Sequence, residues 1–110
     1  MRRVTLMLAA MALMVSLFAA VAYAATIYGT SEAEILIESD RNDMIFGRGG
    51  GDTIDASIFT NDTDVVKGNR GSDTIYVDDG DNRDTAIGGK GVDVCVGDPG
   101  DQLDCETEVQ

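Results

Sequence analysis

The sequence predicts an all-β chain wound as a parallel β-roll of about four coils, with two nine-residue units per coil. Three observations predict it. Gly88-Gly-Lys-Gly-Val-Asp-Val-Cys-Val96 fits the pattern G-G-x-G-x-D-x-U-x at every specified position, U being a large apolar residue. Two looser copies precede it in frame, Gly47-Arg-Gly-Gly-Gly-Asp-Thr-Ile-Asp55 and Gly68-Asn-Arg-Gly-Ser-Asp-Thr-Ile-Tyr76. An acid also recurs at the sixth place along nearly all of the chain after residue 24. These markers are Glu34, Asp43, Asp52, Asp64, Asp73, Asp84, Asp93 and Asp101, at spacings of 9, 9, 12, 9, 11, 9 and 8 residues.

The first segment stands apart. Met1-Arg2-Arg3 is positively charged, Val4 to Ala20 is apolar except for Thr5 and Ser16, and Ala22-Tyr23-Ala24 is a small-x-small cleavage pattern. Residues 1–24 therefore read as a signal peptide cut after Ala24, which sends the chain out of the cell. The rival reading is an uncleaved anchor, since about 20 apolar residues suffice to span a bilayer. With cleavage, 25–110 is one small domain with no membrane span.

That domain is strongly acidic. The whole chain carries a formal charge of −12, and removing the two leader arginines leaves −14 on residues 25–110. Such a charge repels nucleic acid and anionic lipid. It leaves either a disordered acidic chain or one folded around cations. The regular glycine and apolar spacing favours the second, because acidic disorder has no reason to keep a period.

Each unit has a physical division of labour. Two places after the markers come Leu36, Ile45, Ile54, Val66, Ile75, Ala86, Cys95 and Leu103. Each of these U residues is expected to point inward from a strand of about three residues, its neighbours pointing out. Ala86 is small for the task, so a one-residue slip that turns Ile87 inward over a bulge is expected in the sixth unit. The six-residue loop between strands reverses tightly, which glycine permits. Its bare backbone lets carbonyl oxygens converge beside the sixth-place carboxylate, the donor set of a hard cation such as calcium.

Two units per coil put alternate loops on opposite faces. The loops ending at Glu34, Asp52, Asp73 and Asp93 make one regular face and contain all three good matches. Those ending at Asp43, Asp64, Asp84 and Asp101 make a second face, where every spacing irregularity falls. The regular face is expected to hold an ordered ladder of ions. The second is expected to bind weakly or not at all, its rival reading being a solvated acidic surface.

Cys95 and Cys105, with nine residues between them, read as one disulfide closing the C-terminal end of the roll, with two buried free thiols as the alternative. Two cysteines and no histidine do not make a thiolate metal site. About one apolar plug per unit is too little to order so charged a backbone, so cations bound by the folded state alone are expected to drive folding.

The three matching segments resemble the repeats-in-toxin (hemolysin-type) calcium-binding nonapeptide family, and the frame from Gly29 to about Asp104 carries the likeness. The resemblance implies a right-handed parallel β-roll with Ca2+ between the loops of successive coils. It implies Asp52, Asp73 and Asp93 as carboxylate ligands. Carbonyls of Gly47, Gly49 and Gly50, of Gly68, Arg70 and Gly71, and of Gly88, Lys90 and Gly91 would complete those sites. Asp43, Asp64 and Asp84 are the matching candidates on the second face.

No enzyme is expected. Without histidine there is neither a zinc-protease helix nor a Ser-His-Asp set, and the glycine-rich loops lack the Lys-Ser/Thr of a phosphate-binding loop. Two functions remain. One is a monomeric, secreted calcium-binding module that folds as it binds. The other is a surface or matrix protein in which calcium is scaffolding and an extracellular partner meets outward residues. Phe46, Tyr76, Val77, or Ile58 and Phe59 on a lengthened loop are the candidates for that contact.

Overall fold

β-branched or apolar triplets between runs of Gly, Asp and Asn make short strands and tight turns, and the computed structural model follows that alternation. It describes residues 25–110; the expected signal peptide, 1–24, lies outside the described residues. Ten strands succeed one another: β1 (Thr26–Tyr28), β2 (Ile35–Ile37), β3 (Met44–Phe46), β4 (Thr53–Asp55), β5 (Val65–Arg70), β6 (Thr74–Val77), β7 (Thr85–Lys90), β8 (Val94–Gly97), β9 (Gln102–Asp104) and β10 (Thr107–Val109). Odd strands form one five-stranded sheet and even strands the other, every pair parallel. The result is a β-solenoid of about four turns, with no helix among the described residues.

Register follows the U positions. Ile27, Ile45, Val66, Ala86 and Leu103 align in one sheet. Leu36, Ile54, Ile75 and Cys95 align in the other, followed by Glu108. Ile45, Ile54, Val66, Ile75, Ala86 and Cys95 are fully buried, while Ile27, Leu36 and Leu103 pack against them from the ends. The slip expected at the sixth unit does not occur: Ala86 stays inward and Ile87 faces out. Pairing of Ala86 with Val66 on one side and Leu103 on the other holds the register, which a slip would break on both flanks.

Two-residue alternation also places a second inward column, two residues after each U. In the odd sheet this column is Gly29, Gly47, Gly68 and Gly88. In the even sheet it is Glu38, Ala56, Val77 and Gly97. Matching backbone bonds show the equivalence: Gly47 N–H donates to the Lys67 carbonyl at 2.8 Å, and Ala56 N–H to that of Tyr76 at 2.8 Å. Val77, expected to face outward, is therefore buried in the core with Ala56. Phe46 does face out but is covered, stacked on Tyr28 at 5.3 Å with Lys67 over its other side.

The roll outruns its expected frame at both ends. At the start, Ala25 stands where a marker acid would be, and Ile27 fills the U place of β1. At the end, β10 pairs with β8 just after the Cys95–Cys105 disulfide, whose Cα atoms are 5.8 Å apart.

Candidate metal centre

The marker acids form two ladders. On the regular face each marker's N–H donates to the carboxylate of the marker one coil on: Glu34 to Asp52 Oδ1 (3.0 Å), Asp52 to Asp73 Oδ1 (2.8 Å) and Asp73 to Asp93 Oδ1 (2.8 Å). Asp93 closes the series on Glu106 Oε2 (2.8 Å). Only one oxygen of each aspartate is used. Oδ2 of Asp52, Asp73 and Asp93 is buried with no partner.

The first-place glycines show what surrounds those orphan oxygens. A Cβ on Gly47 would lie 2.6 Å from Asp52 Oδ2 and 2.8 Å from the Gly68 carbonyl oxygen. One on Gly68 would lie 2.3 Å from Asp73 Oδ2 and 2.9 Å from the Gly88 carbonyl oxygen. At these two rungs the bare glycine lets a carboxylate oxygen and a carbonyl from the next coil approach where a methyl group would collide, whereas at Gly88 a methyl group would meet Asp93 alone. All the donors are hard oxygens, which suits calcium. Burial raises the pKa of Asp52, Asp73 and Asp93, chiefly by desolvation and despite the backbone N–H each accepts, so ionising them is costly unless a cation offsets the charge.

β5 and β7 continue through Arg70 and Lys90 and pair there, and both residues are exposed. Gly71 and Gly91 adopt φ of +105° and +112° and press on the carbonyls of Gly50 and Gly71. Those two positions accept glycine alone.

The second face repeats the ladder with different surroundings. Asp43 N–H donates to Asp64 Oδ1 (2.7 Å), Asp64 to Asp84 Oδ1 (2.8 Å) and Asp84 to Asp101 Oδ1 (3.1 Å). Oδ2 of Asp64 and of Asp84 is again buried and unpartnered. Here, however, the side chains of Ala56 and Val77 stand where the regular face keeps bare glycine. Carboxylates gather instead: Glu38 with Asp43 and Asp64, Asp62 with Asp64 and Asp84, Asp62 with Asp79 and Asp81, and Asp81 with Asp84 and Asp101. Every such cluster among the described residues lies on this face, so the two faces differ in acid content as well as in glycine. Nor is the face simply solvated, since Asp43, Asp64 and Asp84 are as buried as the core.

That crowding has an electrostatic signature. Burial pushes Asp64 up to about 9, assisted by the close approach of the Glu38 carboxylate and by the charge of Asp62, with the Asp43 N–H opposing. Burial pushes Asp84 up to about 7, with Asp79, Asp81 and Asp101 adding to it and the Asp64 N–H opposing.

The family model of the RTX calcium-binding nonapeptide repeat matches residues 28–58, 60–83 and 80–101, in four copies. The chain belongs to this family. RTX repeats imply calcium binding, and the aspartate-rich ladders are the groups here that suit it. No curated protein and no solved structure matches the chain. Within the RTX frame, the sequence located the ladder aspartates and the glycines beside them, giving those glycines a carbonyl role and not that of making room for Oδ2. It missed Glu38, Asp62, Asp79 and Asp81, which fall outside the sixth place, and Glu106, which holds that place by register but precedes Glu108 rather than an apolar U residue. The only signal for four of them was the excess of acids on the second face; Glu106 had none, because no glycine or U residue accompanies it.

Proposed function

We propose that this chain is a secreted calcium-binding module, not an enzyme, whose ions complete its fold. The observation that carries the reading is the series of buried, unpartnered Oδ2 atoms on Asp52, Asp73 and Asp93, each against a bare first-place glycine. An unpaired buried carboxylate is costly unless a proton or a cation neutralises it. On this reading Oδ2 of these aspartates and the loop carbonyls of the Gly47, Gly68 and Gly88 rungs hold the ions of the regular face. The Ala56 and Val77 side chains deny the second face the same arrangement. Export is supported by the leader sequence and by the disulfide, which suits an oxidising compartment. Calcium outside cells is plentiful enough for modest affinities to suffice.

A calcium titration of the full chain, expressed with its leader and purified, tests this by calorimetry alongside far-ultraviolet circular dichroism. The expected result is a strand spectrum that grows with bound calcium and collapses in excess EDTA at neutral pH. A full strand spectrum in EDTA at neutral pH would show that the ions do not drive folding.

One observation favours a second reading, in which calcium is scaffolding for a docking surface. Ile58 and Phe59 lie side by side on the lengthened loop, 53% and 40% exposed. Calcium-dependent capture of a defined extracellular partner, lost in Ile58→Ser/Phe59→Ser, would support it; a strictly monomeric chain with no partner favours the first.

A further inference from the structure

We infer that the two lengthened loops of the second face build a calcium site away from the sixth places of the nonapeptide repeats, with Asp62 as its central ligand and Asp79 and Asp81 beside it. None of the three holds the marker or the U place of a repeat. Asp62 is 6% exposed, yet neither of its carboxylate oxygens has a partner. Leaving both oxygens of one carboxylate buried and unpaired is costly, and nothing in the strand register requires an acid there. A bound cation is what would hold it in place.

The geometry fits an ion. One oxygen from each of Asp62, Asp79 and Asp81 lies within 4.8 Å of the others. Two ligands on opposite sides of a calcium ion, at about 2.4 Å each, are that far apart. Asp79 contributes a third buried orphan oxygen, Oδ2, while its Oδ1 accepts the Asp81 N–H at 2.9 Å and so fixes the turn. Asp81 Oδ2 accepts the Asn61 N–H at 2.9 Å and joins the two loops on which the ligands sit. Asp62 also meets Asp64 and Asp84 within the same span, so marker oxygens back the site from beneath. Only carboxylates converge, which excludes soft ions, and the uneven loops suit calcium better than the strict octahedron of magnesium. The extra residues of these loops, which interrupt the nine-residue spacing, are thus what supplies the ligands.

This inference shares the calcium chemistry of the proposed function but uses different residues, so the two can fail separately. Calorimetric titration of the full chain with calcium chloride would compare wild type with Asp62→Asn and Asp79→Asn, circular dichroism reporting the fold at saturation. The expected result is the loss of one bound ion per chain in each variant, with the remaining ions and the strand spectrum kept. Should Asp62→Asn not fold, Asp79→Asn, at a partly exposed position, decides alone. Wild-type stoichiometry with affinities within about twofold in a folded variant would overturn the site. A wild-type chain that binds no calcium would overturn both readings.

Discussion

Asp84→Asn separates what the buried acids do to the fold without calcium from what they do with it. Asp84 is 1% exposed, and its carboxyl is raised from an ordinary 3.8 to about 7, first by burial and then by Asp79, Asp81 and Asp101. Because the folded value lies above the unfolded one, protonation stabilises the fold. That contribution is fully present below about 3.8 and is gone once the pH has risen through about 7. At about 1.4 kcal/mol for each pH unit, the ionised carboxylate costs the calcium-free fold about 4 kcal/mol. Solvent around the half-exposed Asp79 and Asp81 trims this, and about 2–4 kcal/mol is the working range. Asparagine keeps an oxygen for the Asp64 N–H and carries no charge. In calcium-free buffer, then, wild type should show most strand signal near pH 4 and lose it towards pH 8. Asp84→Asn should hold its signal to higher pH, and the same variant in saturating calcium should gain nothing. Circular dichroism against pH, with and without calcium, measures both effects. A calcium-free wild type more structured at pH 8 than at pH 4, or a variant that loses structure at the wild-type pH, would refute the reasoning.

Two further perturbations probe the scaffold in saturating calcium. Gly71 and Gly80 share a positive φ, +105° and +98°, but a Cβ would lie 2.1 Å from the Gly50 carbonyl oxygen at Gly71 and meet nothing within 4 Å at Gly80. Gly80→Ala should therefore cost only the backbone strain of about 1–2 kcal/mol, and Gly71→Ala about 1–3 kcal/mol more; equal melting temperatures for the two would show that the coils do not press together as described. Reducing the Cys95–Cys105 disulfide, whose partners are 10 residues apart, should cost about 2–3 kcal/mol and loosen β10 first. Amide exchange at Thr107–Val109 that does not quicken on reduction would contradict that clamp.

The inward columns were legible because they are local. Ile45, Ile54, Val66 and Ile75 sit two places after an acid, and in parallel strands a fixed spacing along the chain becomes a stack across the sheet. The same logic misplaced Ile87, because the size of Ala86 was weighed alone while two neighbouring strands hold its register. It misplaces Val77 for a related reason: a strand of three residues ends before Val77, whereas β6 has four and the fourth turns inward again.

The sequence by itself determined the repeat, the strand order along the roll, the aspartate ladders and the glycines beside them. Each of these follows from alternation and steric allowance within one unit of chain. Tertiary structure decided which oxygens are left without partners and which of them lie against bare glycine. Ala56 and Val77 close on the second face what Gly47 and Gly68 leave open on the first, a contrast invisible until the coils are stacked. Asp62, Asp79 and Asp81 meet only because two lengthened loops about twenty residues apart fold against each other, bridged by the Asn61–Asp81 bond. Convergence of charge in space depends on the path of those extra residues, which no period in the sequence specifies.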